Sequence, residues 1–173
     1  MLKRILVGLD RRIKRLIRSY SRYIINVDLN SRIRNKTTDI QFGTSVVISG
    51  DDNLTVGANV HIGSNSFLRC EGGLIIGDNV IISRNLMLYT LSHNHEGKRL
   101  PFDETYRERP VVIEQNVWIG TNVLITPGTK IGEGSIIGMG CVLHGDIPKR
   151  SIVVNASQRV IASRNEEHYN RLK

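Results

Sequence analysis

The chain has 173 residues, 40% hydrophobic but only 5% aromatic, which fits a single domain with an aliphatic core. Its two cysteines, Cys70 and Cys141, are too few for a disulfide framework and make no C-x-x-C pair, so a reducing compartment is expected. No apolar run reaches the roughly 18 residues of a membrane-spanning helix. The net charge of +8 is concentrated in residues 1–36, which hold eleven Lys/Arg against two Asp; the near-neutral remainder argues against a nucleic-acid groove spread over the fold.

The first predicted element lies in this basic segment, LKRILVGLDRRIKRLIRSYSRYI. Apolar residues at Leu2, Ile5, Leu6, Leu9, Ile13, Leu16, Ile17, Tyr20 and Ile24 recur at steps of three and four, so they share one face of a helix, with Arg and Lys opposite. The run is too broken for a secretory signal. Two roles stay open: packing on the domain or on a sister subunit, and lying through residues 1–25 on an anionic membrane surface. The expected location is the cytoplasm, at the inner membrane face in the second case.

A different periodicity follows. From Ile113 the residues Ile119, Ile125, Ile131, Ile137 and Leu143 recur every six positions and all are aliphatic. The units read IEQNVW, IGTNVL, ITPGTK, IGEGSI, IGMGCV and LHGDIP. VGANVH, IGSNSF and LRCEGG, then IGDNVI, ISRNLM and LYTLSH, repeat the pattern after a two-residue slip, and Phe42, Ile48 and Leu54 extend it backwards. Six residues on an α-helix turn through about 240°, so the apolar residues would not share a face. A short strand and a tight turn fit instead. The aliphatic residue points inward, Gly and Asn in the following positions permit the bend, and the fifth position (Val60, Ser66, Val80, Val117, Val123, Ser135) also faces inward. Three units then close one triangular coil, and stacked coils bury a continuous aliphatic ladder. Cys70 and Cys141 read as small packing residues.

The repeat breaks between His93 and Ile113, where NHEGKRLPFDETYRERPVV forms a charged loop that projects from the prism. Loops of this length in a compact repeat carry function. The predicted organisation is a basic N-terminal extension over 1–36, a repeat domain over 37–150 with an insert at 94–112, and a C-terminal extension over 151–173 in which EEHYNRLK can form a short helix.

His93 stands where a strand enters the loop. An imidazole can take the proton of a hydroxyl as that oxygen attacks a thioester, a contribution of roughly 10²- to 10⁴-fold. Three alternatives compete with this reading. Zinc held by three imidazoles needs a third ligand beside His93 and His95, and none of His61, His144 and His168 supplies an evident one. The tripeptide His93-Asn94-His95 would need a ββα metal site to act as a nuclease. A non-catalytic scaffold is compatible with the repeat alone.

The repeat together with YTLSH, the loop, and NVWIGTNVLITPGTKIGEGSIIGMGCVLHGDIP resembles the hexapeptide-repeat acyltransferases, over about residues 42–161. Within them it is similar to the sugar O-acetyltransferase branch that includes galactoside and maltose acetyltransferases. The resemblance implies a left-handed parallel β-helix, a homotrimer with three sites between subunits, acetyl-CoA as co-substrate and no metal. It implies His93 as general base, Trp118 lining the groove, Thr121 near the thioester sulfur, the backbone of Met139 facing the pantetheine arm, and Arg159 on the coenzyme phosphates. His95, Tyr106 and Arg107 are expected at the acceptor, with Arg109 nearby. The sequence departs from the family in three places. NASQRVI replaces a G-x-P-A-[KR]-V-I stretch. His144-Gly145 replaces a Thr-Lys pair, so Lys149 or Arg164 would have to serve the coenzyme there. Asn94-His95 replaces a proline after the histidine, as in polysaccharide-modifying members. The expected reaction is acetyl transfer to a sugar hydroxyl of a surface polysaccharide or its precursor, such as lipopolysaccharide, capsule or exopolysaccharide. N-acetylation of a nucleotide-linked amino sugar is the alternative.

Overall fold

The computed structural model describes residues 27–38 and 40–155, with isolated positions at 13, 16, 19, 20 and 171. Apart from those positions, the helices expected over residues 2–24 and 166–173 lie outside the described residues, as do Arg159 and Arg164.

The six-residue step becomes a three-faced parallel β-solenoid. The first face stacks Asn35–Lys36, Leu54–Val56, Leu74–Ile76, Val111–Ile113, Lys130–Ile131 and Asp146–Ile147. The second stacks Gln41–Phe42, His61–Ile62, Ile81–Ile82, Trp118–Ile119, Ile136–Ile137 and Ile152–Val153. The third stacks Val47–Ser49, Phe67–Arg69, Met87–Tyr89, Leu124–Ile125 and Val142–Leu143. Every pairing between coils is parallel, and the chain runs first face to second to third and round again.

The repeat positions explain the core. Ile113, Ile119, Ile125, Ile131, Ile137 and Leu143 are all buried, and so are the fifth-position residues Val117, Val123, Thr129, Ser135 and Cys141. Each aliphatic side chain withdrawn from water contributes about 1.5–3 kcal/mol. The buried hydroxyls have partners within the turns: Ser66 Oγ donates to the Gly63 carbonyl at 2.7 Å and Thr129 Oγ1 to that of Thr126 at 2.8 Å. Cys70 is fully buried, and burial, helped by the charges of Glu71 and Asp51, pushes its thiol up to about 12.

Gly and Asn divide the work at the corners differently from the sequence expectation. The positive φ falls on the fourth position of the unit, at Asn59, Asn79, Asn116, Asn65, Asn85 and Asn122. Their side chains stack into ladders, Asn59 to Asn79 at 3.0 Å and Asn79 to Asn116 at 3.1 Å. The second-position glycine answers a different need. A Cβ on Gly120 would sit 2.8 Å from the Met139 nitrogen and 2.9 Å from the Ile137 carbonyl oxygen, so close stacking of coils excludes a side chain there.

The first coil is covered. A helical stretch over 27–32 places Leu29 in the core cluster together with Ile33, just beyond it. Asn30 exchanges two hydrogen bonds with the backbone of Ile40, and Arg32 pairs with Asp51 at 2.9 Å, which lowers the Asp51 carboxyl from its ordinary value. Repeat proteins need such end caps because an open coil exposes its apolar interior.

Candidate active site

The insert leaves the solenoid between the third and first faces. Its base is a two-stranded antiparallel ribbon, Leu91–His93 against Tyr106–Glu108, in which His93 lies opposite Tyr106. Thr90 anchors the foot: its Oγ1 accepts from Gly72 N at 2.8 Å and donates to the Arg69 carbonyl at 2.8 Å, and its own carbonyl accepts from Arg109 N. The far end is held by Asp103, whose carboxylate accepts from Lys98 N at 2.8 Å and from the Thr105 nitrogen at 2.9 Å and hydroxyl at 2.5 Å. These donors, the Thr105 hydroxyl foremost, hold the Asp103 carboxyl down at about 2.

The His93 ring is exposed at the outer end of this ribbon ladder, against two aromatic rings. Phe102 stacks on it with 3.8 Å between centroids and 20° between planes, and Tyr106 lies tilted at 4.8 Å. Beside it opens a cleft of about 510 Å³, lined among others by Arg69, Tyr89, Ser92, His93, Tyr106 and Thr126. The Arg69 guanidinium lies 5.8 Å from the Tyr89 ring centre and 5.7 Å from that of Tyr106. A base oriented by stacking, beside a partly apolar cleft open to solvent, can take a proton from a hydroxyl placed there.

The expected site residues fall into groups. Tyr106 joins His93 at the cleft. Arg107 turns to its own ribbon: its Nε donates to Asn94 Oδ1 at 2.9 Å and its Nη2 pairs with Glu96. His95 is exposed in the turn beyond the ribbon and is not among the cleft-lining residues. Trp118 is 54% exposed on the second face, as its sixth position in the unit predicts. Thr121 and Met139 stack on successive coils at the corner between the second and third faces, where Gly140 N donates to the Thr121 carbonyl at 2.8 Å. That corner and the His93 cleft flank opposite edges of the third face, roughly 15 Å apart at about 3.3 Å per residue along the strand. One chain therefore does not bring His93 together with Trp118, Thr121 and Met139.

Sequence reading missed Arg69, Tyr89 and Phe102. A signal for the first two existed: stacking the six-residue units puts Arg69 in register with Tyr89, one coil before His93. Phe102 had none, because its place depends on how the insert folds back. Among the described residues no group of three His, Cys, Asp or Glu side chains is placed to hold a metal ion, and no helix is long and apolar enough to cross a membrane.

Comparison with known proteins agrees with this architecture. Residues 110–145 match the family described as bacterial transferase hexapeptide (six repeats), and residues 53–90 match the hexapeptide repeat of succinyl-transferase. The chain is 36% identical over 121 residues to the galactoside O-acetyltransferase of Escherichia coli, covering 65% of this chain and 59% of that protein. It is 32% identical over 136 residues to a putative lipopolysaccharide biosynthesis O-acetyl transferase of the same organism, covering 73% of this chain and 65% of that one. The chain thus spans less than two thirds of the length of either relative. A solved galactoside acetyltransferase in complex with coenzyme A superposes with a TM-score of 0.63 at 25% identity, covering 91% of this chain and 84% of that one.

Proposed function

Because this chain belongs to the hexapeptide-repeat transferase family, we propose that it moves the acetyl group of acetyl-CoA to a sugar hydroxyl, with His93 as the general base. The observation that carries this is the placement of His93, stacked and exposed beside a cleft large enough for a sugar. The His93 imidazole takes the hydroxyl proton as the oxygen attacks the thioester carbonyl. The carbon–sulfur bond then breaks, and the imidazolium returns its proton to the departing thiolate, so no covalent enzyme intermediate is needed. Backbone amides near Thr121 are the proposed donors to the oxyanion. Trp118, Met139 and Arg159 are proposed to hold the coenzyme and Tyr106 to border the acceptor, with His95 and Arg107 on the insert beyond the cleft, where only an acceptor larger than the cleft would meet them. The hydroxyl acceptor is preferred over an amino sugar because O-acetyl transfer is named for both relatives above.

The two halves of the site would meet between subunits of a homotrimer. The outward side chains support this. On the third face Val47, Phe67, Met87, Leu124 and Val142 form an apolar ladder, and on the second Ile81, Trp118, Ile136 and Ile152 form another. Apolar patches of this extent are usually covered in use. The lipopolysaccharide relative and the basic, apolar-faced N-terminal segment favour a surface-polysaccharide precursor as acceptor, met at the inner membrane face. Ile13, Leu16 and Tyr20 of that segment's apolar face are exposed in the single chain.

The test is thiol release from acetyl-CoA with a panel of sugar acceptors, alongside sedimentation of the protein. Replacement His93→Ala should lower kcat by about 10²- to 10⁴-fold while calorimetry still finds coenzyme binding. No binding of acetyl-CoA at millimolar concentration would overturn the proposal, and a monomer in solution would overturn the shared site.

A further inference from the structure

We infer that the acceptor is anionic, and that Arg69 reads its charge. This rests on the acetyl-transfer reading of the His93 cleft. Among the described residues that line the cleft, Arg69 is the one permanent cation, and no carboxylate lines it. Arg69 reaches this position from the outward side of the third face, one coil away from Tyr89, and its guanidinium lies near both Tyr89 and Tyr106. Tyr106 in turn touches His93, so the cation and the base border one space.

The Arg69 side chain is prepared for a ligand rather than consumed by the fold. Glu71 Oε1 lies 3.5 Å from its Nε, Glu71 is not among the residues that line the cleft, and both side chains are about one third exposed or less. No described residue accepts a hydrogen bond from either Nη. Two parallel N–H groups on a planar, always-charged fork match a carboxylate or a phosphate in a bidentate pair. The flanking Tyr rings restrict the guanidinium, so less freedom is lost when the anion arrives. A neutral sugar would offer the two Nη groups no charged acceptor in a partly apolar cleft.

The shared chemistry is an oxyanion on or next to the sugar that presents the hydroxyl. It can be a ring carboxylate, as in a uronic acid, or a phosphate ester at the anomeric carbon. Methyl glucuronide and glucosyl phosphate distinguish these sources, with methyl glucoside as the neutral reference. Equilibrium titration of each sugar into the full chain saturated with coenzyme A reads the preference without turnover. The expected result is that one anionic sugar binds about tenfold or more tightly than methyl glucoside, as a charge-assisted pair allows. In Arg69→Gln that ratio should fall to near one, and Arg69→Lys should keep part of it, since the charge remains but the fork is lost. Equal binding of all three sugars, no binding of either anionic sugar, or a ratio that survives in Arg69→Gln overturns the inference. Failure of coenzyme A itself to bind, measured in the preceding saturation step, instead overturns the transferase reading.

Discussion

The imidazole of His93 and the ring of Phe102 lie nearly parallel, 3.8 Å apart, although eight residues separate them along an exposed insert. The contact fixes the plane of the proposed base before any acceptor arrives. A stack of this kind contributes about 0.5–1.5 kcal/mol. Phe102→Ala should therefore lower kcat roughly 2- to 10-fold, while coenzyme binding stays as it was. Phe102→Tyr keeps the ring and should restore most of the rate. Steady-state kinetics on the two variants checks this, and equal losses in both would show that ring stacking is not what Phe102 supplies.

The tip of the insert should loosen in acid. The Asp103 carboxyl is held at about 2, below its ordinary 3.8, so it favours the folded insert fully above the ordinary value and loses that contribution as pH falls through the folded one. Amide protection at Lys98 and Thr105, corrected for intrinsic exchange, should fall between about pH 4 and pH 2 while the coil amides stay protected. Asp103→Asn should show reduced protection at pH 7 and no such step.

The two glycine positions of the repeat should respond in opposite ways. Gly120→Ala pushes a methyl into the backbone of the next coil, with contacts of 2.8 and 2.9 Å, and should cost about 1–3 kcal/mol in chemical denaturation. Gly134 has a positive φ of 70°, and its added Cβ would come no nearer than 3.4 Å to Arg150. It follows Asn116 in the stack, so Gly134→Asn should be close to neutral and extend the ladder of Asn59, Asn79 and Asn116. Denaturation midpoints that do not separate the two variants would remove the distinction between close approach and positive φ.

Much of this was legible in the chain. The six-residue step determined the solenoid, its inward residues and its outward ones, because a repeat that packs only against its neighbours needs no information from far along the sequence. The lone tryptophan faces outward and Cys141 inward, as their unit positions require, whereas Cys70 is buried at a third position that most units leave exposed or half-buried. The same logic located the insert and His93, the last unit residue before it. The glycine and asparagine positions were legible as turns but not in their separate causes, since a Cβ clash with the next coil appears only once the coils are stacked.

The insert was different. It carries no periodicity, so nothing local specified that it would fold as a ribbon with Phe102 on His93 and Arg107 on Asn94 and Glu96. Arg69 looked like any outward residue until the coil pitch set it in register with Tyr89 and the ribbon brought Tyr106 over it. Local spacing thus determined which face each residue of this protein occupies. Only tertiary structure decided which side chains share the cleft, because that depends on contacts between coils and on how an aperiodic loop packs back against them.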